Sequence, residues 1–254
     1  MSDAMQDMSD ETFAAMARLE EQHWWFEGKR RLVVQELRRE LDGAPLGGLA
    51  LDVGCGTGRT LAALEALNYR PVGTDLSVTA LGHAQQALPS GGVLVRALAE
   101  ALPLPAGSVD CLVSLDVVEH LDDDVRALRE YRRVLRPDGV LIIAVPAYQW
   151  AWSDHDVQLG HRRRYTRAHI RRAADEAGLR VRRVTHFHSW LVPPAVLLRR
   201  TPLRRLVKQG AEEASFVNPR VNAWFARVTQ AERRLLERRD LAAGMSILLV
   251  ARRG

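Results

Sequence analysis

The most informative segment of this 254-residue chain is Leu51-Asp52-Val53-Gly54-Cys55-Gly56-Thr57-Gly58. It follows an apolar run that predicts a buried strand, and it precedes a segment with the pattern of a helix. Three glycines at alternate positions let the backbone turn tightly and let a ligand approach without obstruction by Cβ atoms. The free N–H groups at the start of the next helix can meet a carboxylate. This order indicates a ligand site at the edge of a parallel sheet.

The rest of the chain alternates short apolar runs with helical segments, which is typical of βαβ units. Strands are predicted over residues 49–53, 71–74, 93–96, 109–114, 139–145, 181–187 and 246–251. Helices are predicted between them over residues 60–67, 78–87, 123–135 and 167–177. We therefore expect an α/β fold with a Rossmann-like, seven-stranded, mostly parallel sheet and flanking helices.

The pattern predicts one domain with helical additions. A helical periodicity from about residue 10 to 41 predicts an N-terminal helical cap over 1–43, before a core over 44–188. The interval before the last strand is too long for a simple crossover connection. We expect residues 189–243 to form a helical insertion or lid, with the final strand within 244–254.

Composition and charge narrow the class of protein. The chain is 47% hydrophobic and 26% charged, and no apolar run approaches the roughly 20 residues of a membrane-spanning helix. Two cysteines exclude a disulfide framework, and the acidic N-terminus lacks a secretory pattern, so a cytoplasmic location is expected. The net charge of the chain is +5, and its basic residues are concentrated after about residue 160. The positive field of these residues suits a partner such as nucleic acid, an anionic membrane or an acidic substrate. The alternative is that the residues only form the solvated faces of helices. The absence of interleaved aromatic and basic residues argues against a specific nucleic-acid partner.

The glycine spacing distinguishes two classes of nucleotide site. G-x-G-x-G with an acid two positions earlier differs from the G-x-G-x-x-G of dinucleotide sites. In this motif, and over about residues 49–145, the sequence resembles the class I S-adenosylmethionine (SAM)-dependent methyltransferases. The resemblance implies SAM as the cofactor, with Asp52 orienting its amino-acid end; the alternative is that Asp52 merely caps the turn. The loop beneath SAM would be formed by Gly54, Cys55, Gly56 and Gly58.

Three further segments carry expected cofactor contacts. Asp75, with Leu76 beside it, ends the second strand, and the resemblance implies that its carboxylate binds the ribose hydroxyls; alone, it would be a helix N-cap. The adenine segment departs from the family pattern because Leu98 stands where an Asp is expected, so recognition would depend on Ala99 and Glu100. After the fourth strand, Leu115 and Asp116 are expected near the methionine part of SAM.

Candidate catalytic residues are three histidines, His120, His155 and His161, which can exchange protons near neutral pH. The alternative is that they are structural residues that hydrogen-bond and fix loops. Glu119 is expected to be a cap or an ion-pair partner. The spacing of His155, Asp156 and His161 matches no standard metal signature, so no metal is expected.

The expected reaction is methyl transfer to an O, N or C atom of a small-molecule acceptor. The alternatives are an RNA, protein or membrane-associated prenyl or lipid acceptor, or a non-catalytic nucleotide-binding module. The apolar run 190–198 beside arginines favours either peripheral contact with an anionic membrane or a lid or homodimer contact. The aromatic run 23–26 either roofs the pocket or packs the N-terminal helix on the core.

Overall fold

The structure is a computed structural model that describes residues 20, 23–41, 48–88, 91–200 and 218–254, without the side chains of 198–200. Seven strands in these ranges form one sheet. They are β1 (Leu49–Val53), β2 (Arg70–Asp75), β3 (Val93–Arg96), β4 (Val109–Leu115), β5 (Leu135–Pro146), β6 (Leu179–Phe187) and β7 (Ser246–Arg253).

The strand order is β3-β2-β1-β4-β5-β7-β6. Strands β1 to β5 are paired in parallel, whereas β7 runs antiparallel to both β5 and β6. The order reverses between β1 and β4, which is where open α/β sheets bind ligands outside the carboxyl ends of the strands. The predicted Rossmann-like, mostly parallel, seven-stranded sheet is therefore confirmed.

Eight α-helices of the described ranges flank the sheet. They are α1 (Trp24–Glu40), α2 (Arg59–Glu65), α3 (Val78–Ala87), α4 (Asp124–Val134), α5 (Asp154–Gln158), α6 (Arg167–Glu176), α7 (Val192–Arg200) and α8 (Pro219–Leu236). Short 3-10 turns cover Val118–His120, Gln149–Ala151 and Ser189–Leu191. Among the described residues, none of the helices combines the length and apolarity that a bilayer crossing requires.

Apolar layers cover both faces of the sheet because successive strand residues point to opposite sides. In β5, Leu141 and Ile143 join the cluster that packs under α4 and α6, whereas Val140 and Ile142 join the cluster under α1 and α8. All four are fully buried. A sheet apolar on both sides requires helices on both sides, and this leaves the strand ends free for a site.

The structure differs from the sequence prediction at the start of β5 and in the loop that follows it. β5 begins at Leu135 rather than at 139, since Leu135 pairs with Val109 before the register shifts to Cys111 and Val140. The predicted loop after β5 contains the short helix α5, which begins with a Ser153–Asp156 capping box. Of the predicted N-terminal cap and insertion, residues 1–19, 21–22, 42–47 and 201–217 lie outside the described ranges.

Candidate active site

The glycine loop after β1 is fixed by backbone hydrogen bonds to the neighbouring strand. The amides of Gly54 and Cys55 both donate to the carbonyl oxygen of Thr74, at 2.7 and 3.0 Å. Gly54, Gly56 and Gly58 all have positive φ, between 51° and 80°. A Cβ on Gly58 would lie 2.7 Å from Cα of Ala84, so this glycine also allows α3 to approach. The loop therefore needs glycine for backbone conformation and for packing.

Two side chains of this region are buried beneath the loop. Burial raises the pKa of the Asp52 carboxyl well above its usual value, and the nearby Asp75 charge raises it further. Burial likewise raises the pKa of the Cys55 thiol, which packs against Leu61 in a small apolar cluster. The backbone of Cys55, rather than its thiol, is therefore the part available to a ligand.

Asp75 joins the end of β2 to the glycine loop. Its Oδ2 accepts a hydrogen bond from the Gly56 amide at 3.0 Å, and its Oδ1 accepts one from the Ser77 amide at 2.9 Å. The N-cap of α3 is Ser77, whose Oγ accepts from the Ala80 amide, so the N-cap alternative for Asp75 is wrong. Each carboxylate oxygen keeps a lone pair for a hydroxyl donor.

The predicted adenine segment is attached to the same strand end. The Ala97 amide donates to the Asp75 carbonyl at 3.2 Å, and the Leu76 carbonyl accepts from Arg96 at 2.9 Å. Ala99 is buried, and Glu100 is partly buried. Leu98 is 47% exposed, so it leaves an apolar surface where the family pattern has a carboxylate.

Asp116, after Leu115 at the end of β4, marks the second half of the site. It has a positive φ of 53°, and its amide donates to the Ala144 carbonyl at 2.9 Å. Its carboxylate forms an ion pair with Lys29 of α1, whose side chain is only 5% exposed. Lys29 was not predicted from the sequence, because it precedes Asp116 by 87 positions and no local pattern marks it.

Two predicted histidines are brought together beside Asp116. The rings of His120 and His161 lie edge to face with centroids 4.7 Å apart. Burial lowers the pKa of His120, and the neighbouring His161 lowers it further. His155 is exposed on α5, apart from this pair. The structure therefore groups two of the three candidate bases.

The expectation for Glu119 was wrong. Its carboxyl is fully buried, and neither oxygen hydrogen-bonds within the part of the chain that the structure describes. Burial raises its pKa well above the usual value, and Asp116 adds to the effect. The prediction failed because the sequence does not show how the fold buries this side chain away from any hydrogen-bonding partner among the described residues.

Asp156 fixes the segment that carries His161. Its Oδ1 lies 2.8 Å from Nδ1 of His161 and accepts from Nε of Arg164 at 2.7 Å. Burial would raise the pKa of Asp156, but the hydrogen bonds from His161 and Arg164 outweigh it and hold the pKa well below its usual range. Asp156 therefore remains an anion that orients the imidazole.

The N-terminal residues cover the site from above. The Glu20 carboxylate accepts a hydrogen bond from Thr57 Oγ1 in the glycine loop, and Arg30 donates to the Glu20 carbonyl at 2.6 Å. On α1, the Trp25 ring stacks on His188 with centroids 4.1 Å apart. These contacts agree with a roof formed by the N-terminal helix.

The same aromatic run also packs the helix on the molecule. Trp24 is 7% exposed and contacts both Trp190 and Phe225, which stack on each other with centroids 4.9 Å apart. Trp190, the first residue of the apolar run 190–198, therefore packs within the molecule. The basic residues 204 and 205 lie outside the described ranges.

The chemistry of these donors and acceptors fits SAM. Asp75 offers lone pairs that can accept hydrogen bonds from ribose hydroxyls, and the glycine loop brings backbone N–H groups to the same edge of the sheet. The carboxylate of Asp116 suits the positively charged ammonium and sulfonium groups, and Arg30 suits a carboxylate. Apart from Arg30, all of these residues are among the cofactor contacts predicted from the sequence.

Comparisons with known proteins agree with this geometry. Residues 51–143 match the model of a methyltransferase domain. A probable SAM-dependent methyltransferase of Mycobacterium tuberculosis is 34% identical over 128 residues, covering 50% of this chain and 44% of the relative. A second, of Mycolicibacterium smegmatis, is 31% identical over 165 residues, covering 64% of this chain and 62% of the relative. The chain thus spans about half of the length of these curated relatives.

A solved structure supports the fold independently. Phosphoethanolamine N-methyltransferase 2 of Haemonchus contortus, in complex with phosphomonomethylethanolamine and S-adenosylhomocysteine, aligns with a TM-score of 0.64 at 15% identity. The alignment covers 98% of this chain and 60% of that one. This likeness shows the fold, and residues 51–143 are similar to the methyltransferase domain that the curated relatives share.

Proposed function

We propose that this chain transfers the methyl group of SAM to an O, N or C atom of a small-molecule acceptor. The observation that carries the proposal is the joining of Asp75 to the glycine loop through the Gly56 amide, in a loop whose Gly54 lies against Val117, the residue after Asp116. Asp75 and the glycine loop thus offer hydrogen-bonding groups for a nucleoside, and the cluster at Asp116 offers groups that accept and donate protons.

Methyl transfer from SAM depends more on the alignment of the two reactants than on acid–base catalysis. SAM supplies an electrophilic methyl group bonded to a sulfonium, and its transfer returns the bonding electron pair to sulfur. The protein's part is to hold the acceptor atom in line and to exclude water. The roof of Glu20 and α1 supports water exclusion, because it covers the glycine loop.

Where the methylated group is a hydroxyl, we propose that His120 and His161 are the bases that take up its proton. The lowered pKa of His120 keeps its imidazole neutral near pH 7, so it has a lone pair for the proton released when the new O–CH₃ bond forms. His155 is a weaker candidate because it is exposed on α5. Contact with an anionic membrane and homodimerisation stay predictions.

Calorimetric binding of SAM and S-adenosylhomocysteine tests the cofactor half of the proposal. Asp75→Asn should weaken both by about 1–3 kcal/mol, since a charged hydrogen-bond acceptor is lost. Asp110→Asn is the matched control, because Asp110 also accepts from a backbone amide, that of Leu49, but at the amino end of β4. Equal effects of the two substitutions, or no binding by the wild type, would contradict the proposal.

A further inference from the structure

The buried carboxyl of Glu119 requires a partner. An isolated carboxylate away from water costs several kcal/mol, so such a group either keeps a proton or binds a cation. The cations whose charges act on this carboxyl are Lys29 and Arg164. Lys29 is paired with Asp116, and Arg164 is paired with Asp156, so neither supplies the missing contact.

We propose that Glu119, His120 and His161 bind one divalent transition-metal ion. One ligand atom from each residue lies within 4.8 Å of the other two. Small side-chain rotations close that separation around an ion whose bonds are about 2.1 Å long. Two imidazole nitrogens and one carboxylate oxygen suit ions such as Zn²⁺ and Co²⁺, and three protein ligands leave positions open for a substrate.

The surroundings of His161 support the assignment. A metal-binding histidine usually donates its second ring N–H to a carboxylate, which fixes the ring and its tautomer. Nδ1 of His161 has this contact with Asp156, so Nε2 is the nitrogen left for a ligand. Asp156 is itself fully buried and held by Arg164. A surface histidine pair would not need this second layer.

The backbone also brings the ligand segments together. The Arg162 amide donates to the Glu119 carbonyl at 2.7 Å, which joins the segment of His161 to the 3-10 turn. The Tyr165 hydroxyl donates to Asp124 at 2.8 Å and to the Val118 carbonyl at 3.3 Å. The three proposed ligands are therefore held in place by contacts other than their own.

The role of the ion rests on the proposed function. Bound beside Asp116, it would take the acceptor's hydroxyl oxygen as a further ligand and lower the pKa of that hydroxyl. The proton would pass to water, and the oxygen lone pair would form the new bond to the methyl carbon. The two histidines would then act as ligands rather than as bases, in contrast to the sequence prediction of no metal.

Metal binding is tested without any acceptor. The untagged, chelator-treated protein is titrated with Zn²⁺ in equilibrium dialysis and with Co²⁺ by visible absorption. The wild type should bind one equivalent. Glu119→Gln should abolish binding, and Asp156→Asn should weaken it about 10- to 100-fold because His161 loses its orientation. His83→Gln on α3 is the control, and it should bind like the wild type.

Binding by Glu119→Gln at wild-type affinity, or no binding by the wild type, would overturn the metal site. If Glu119→Gln does not fold, the Asp156→Asn affinity decides, since unchanged affinity in that variant also contradicts the proposal. S-adenosylhomocysteine binding is measured on the same samples. Cofactor binding without metal binding would refute this inference alone, whereas metal binding without cofactor binding would refute the proposed function.

Discussion

At the scale of single residues, backbone conformation explains why the glycine loop has its sequence. The three positive φ values lie in the left-handed region, which costs other residues roughly 1–2 kcal/mol each. Gly58 has a second constraint because Cα and the carbonyl oxygen of Ala84 lie 2.7 and 3.1 Å from the position of a Cβ. Neither backbone atom can move without displacing α3.

Gly58→Ala is therefore expected to lower the free energy of unfolding by about 2 kcal/mol or more, from strain and overpacking together. Denaturant unfolding measures the change. The control is Gly82→Ala on the exposed side of α3, where a Cβ meets no atom within 4 Å. It should stabilise the protein by about 0.5–1 kcal/mol, because alanine is the better helix former. Loss of stability in both variants would show that the loop has no special constraint.

At the scale of elements, α1 is held against α8 by a close approach of helix surfaces. A Cβ on Gly28 would lie 2.6 Å from Cγ2 of Thr229, which is 7% exposed. Glycine in a helix interior normally costs about 1 kcal/mol relative to alanine. The close contact between the helices accounts for glycine at this position.

Gly28→Ala should thus destabilise the protein by about 1 kcal/mol, although alanine favours the helix. In a Thr229→Ser background, which removes Cγ2, the same substitution should instead be neutral or stabilising. A double-mutant cycle by denaturant unfolding should give a coupling of about 1–2 kcal/mol. If the effects of the two substitutions on stability are additive, the contact between Gly28 and Thr229 does not restrict the distance between the helices.

At the scale of the whole molecule, the structure buries neutral histidines and uncharged carboxyls that titrate in opposite directions. Burial lowers the pKa of His188 well below its usual value, and the nearby Lys29 charge lowers it further. The unfolded chain therefore takes up a proton below about pH 6.5 while the folded protein does not, so this stabilisation is present above pH 6.5 and is lost as pH falls. The raised pKa values of Asp52 and Glu119 oppose this trend, since they favour the folded state at low pH.

A comparison of variants isolates the contribution of His188 to the pH dependence of stability. The fall in melting temperature from pH 7.5 to pH 5.5 should be smaller in His188→Gln than in the wild type, because glutamine cannot be protonated. His83→Gln should keep the wild-type dependence. Differential scanning calorimetry measures all three proteins. An unchanged dependence in His188→Gln would show that the buried ring is not linked to folding.

Local sequence patterns were enough to predict the sheet, the glycine loop and the place of Asp75 at the end of β2. Each of these is carried by a local pattern, since strand periodicity, glycine spacing and an acid at a strand end all lie within a few residues. The second half of the site, around Asp116, could be recognised only in the folded chain. Lys29, Glu119 and His161 meet there from three segments that are 90 and 42 residues apart in the sequence. No local sequence pattern predicts that these residues are close in space, because burial and charge pairing depend on which distant segments the fold brings into contact.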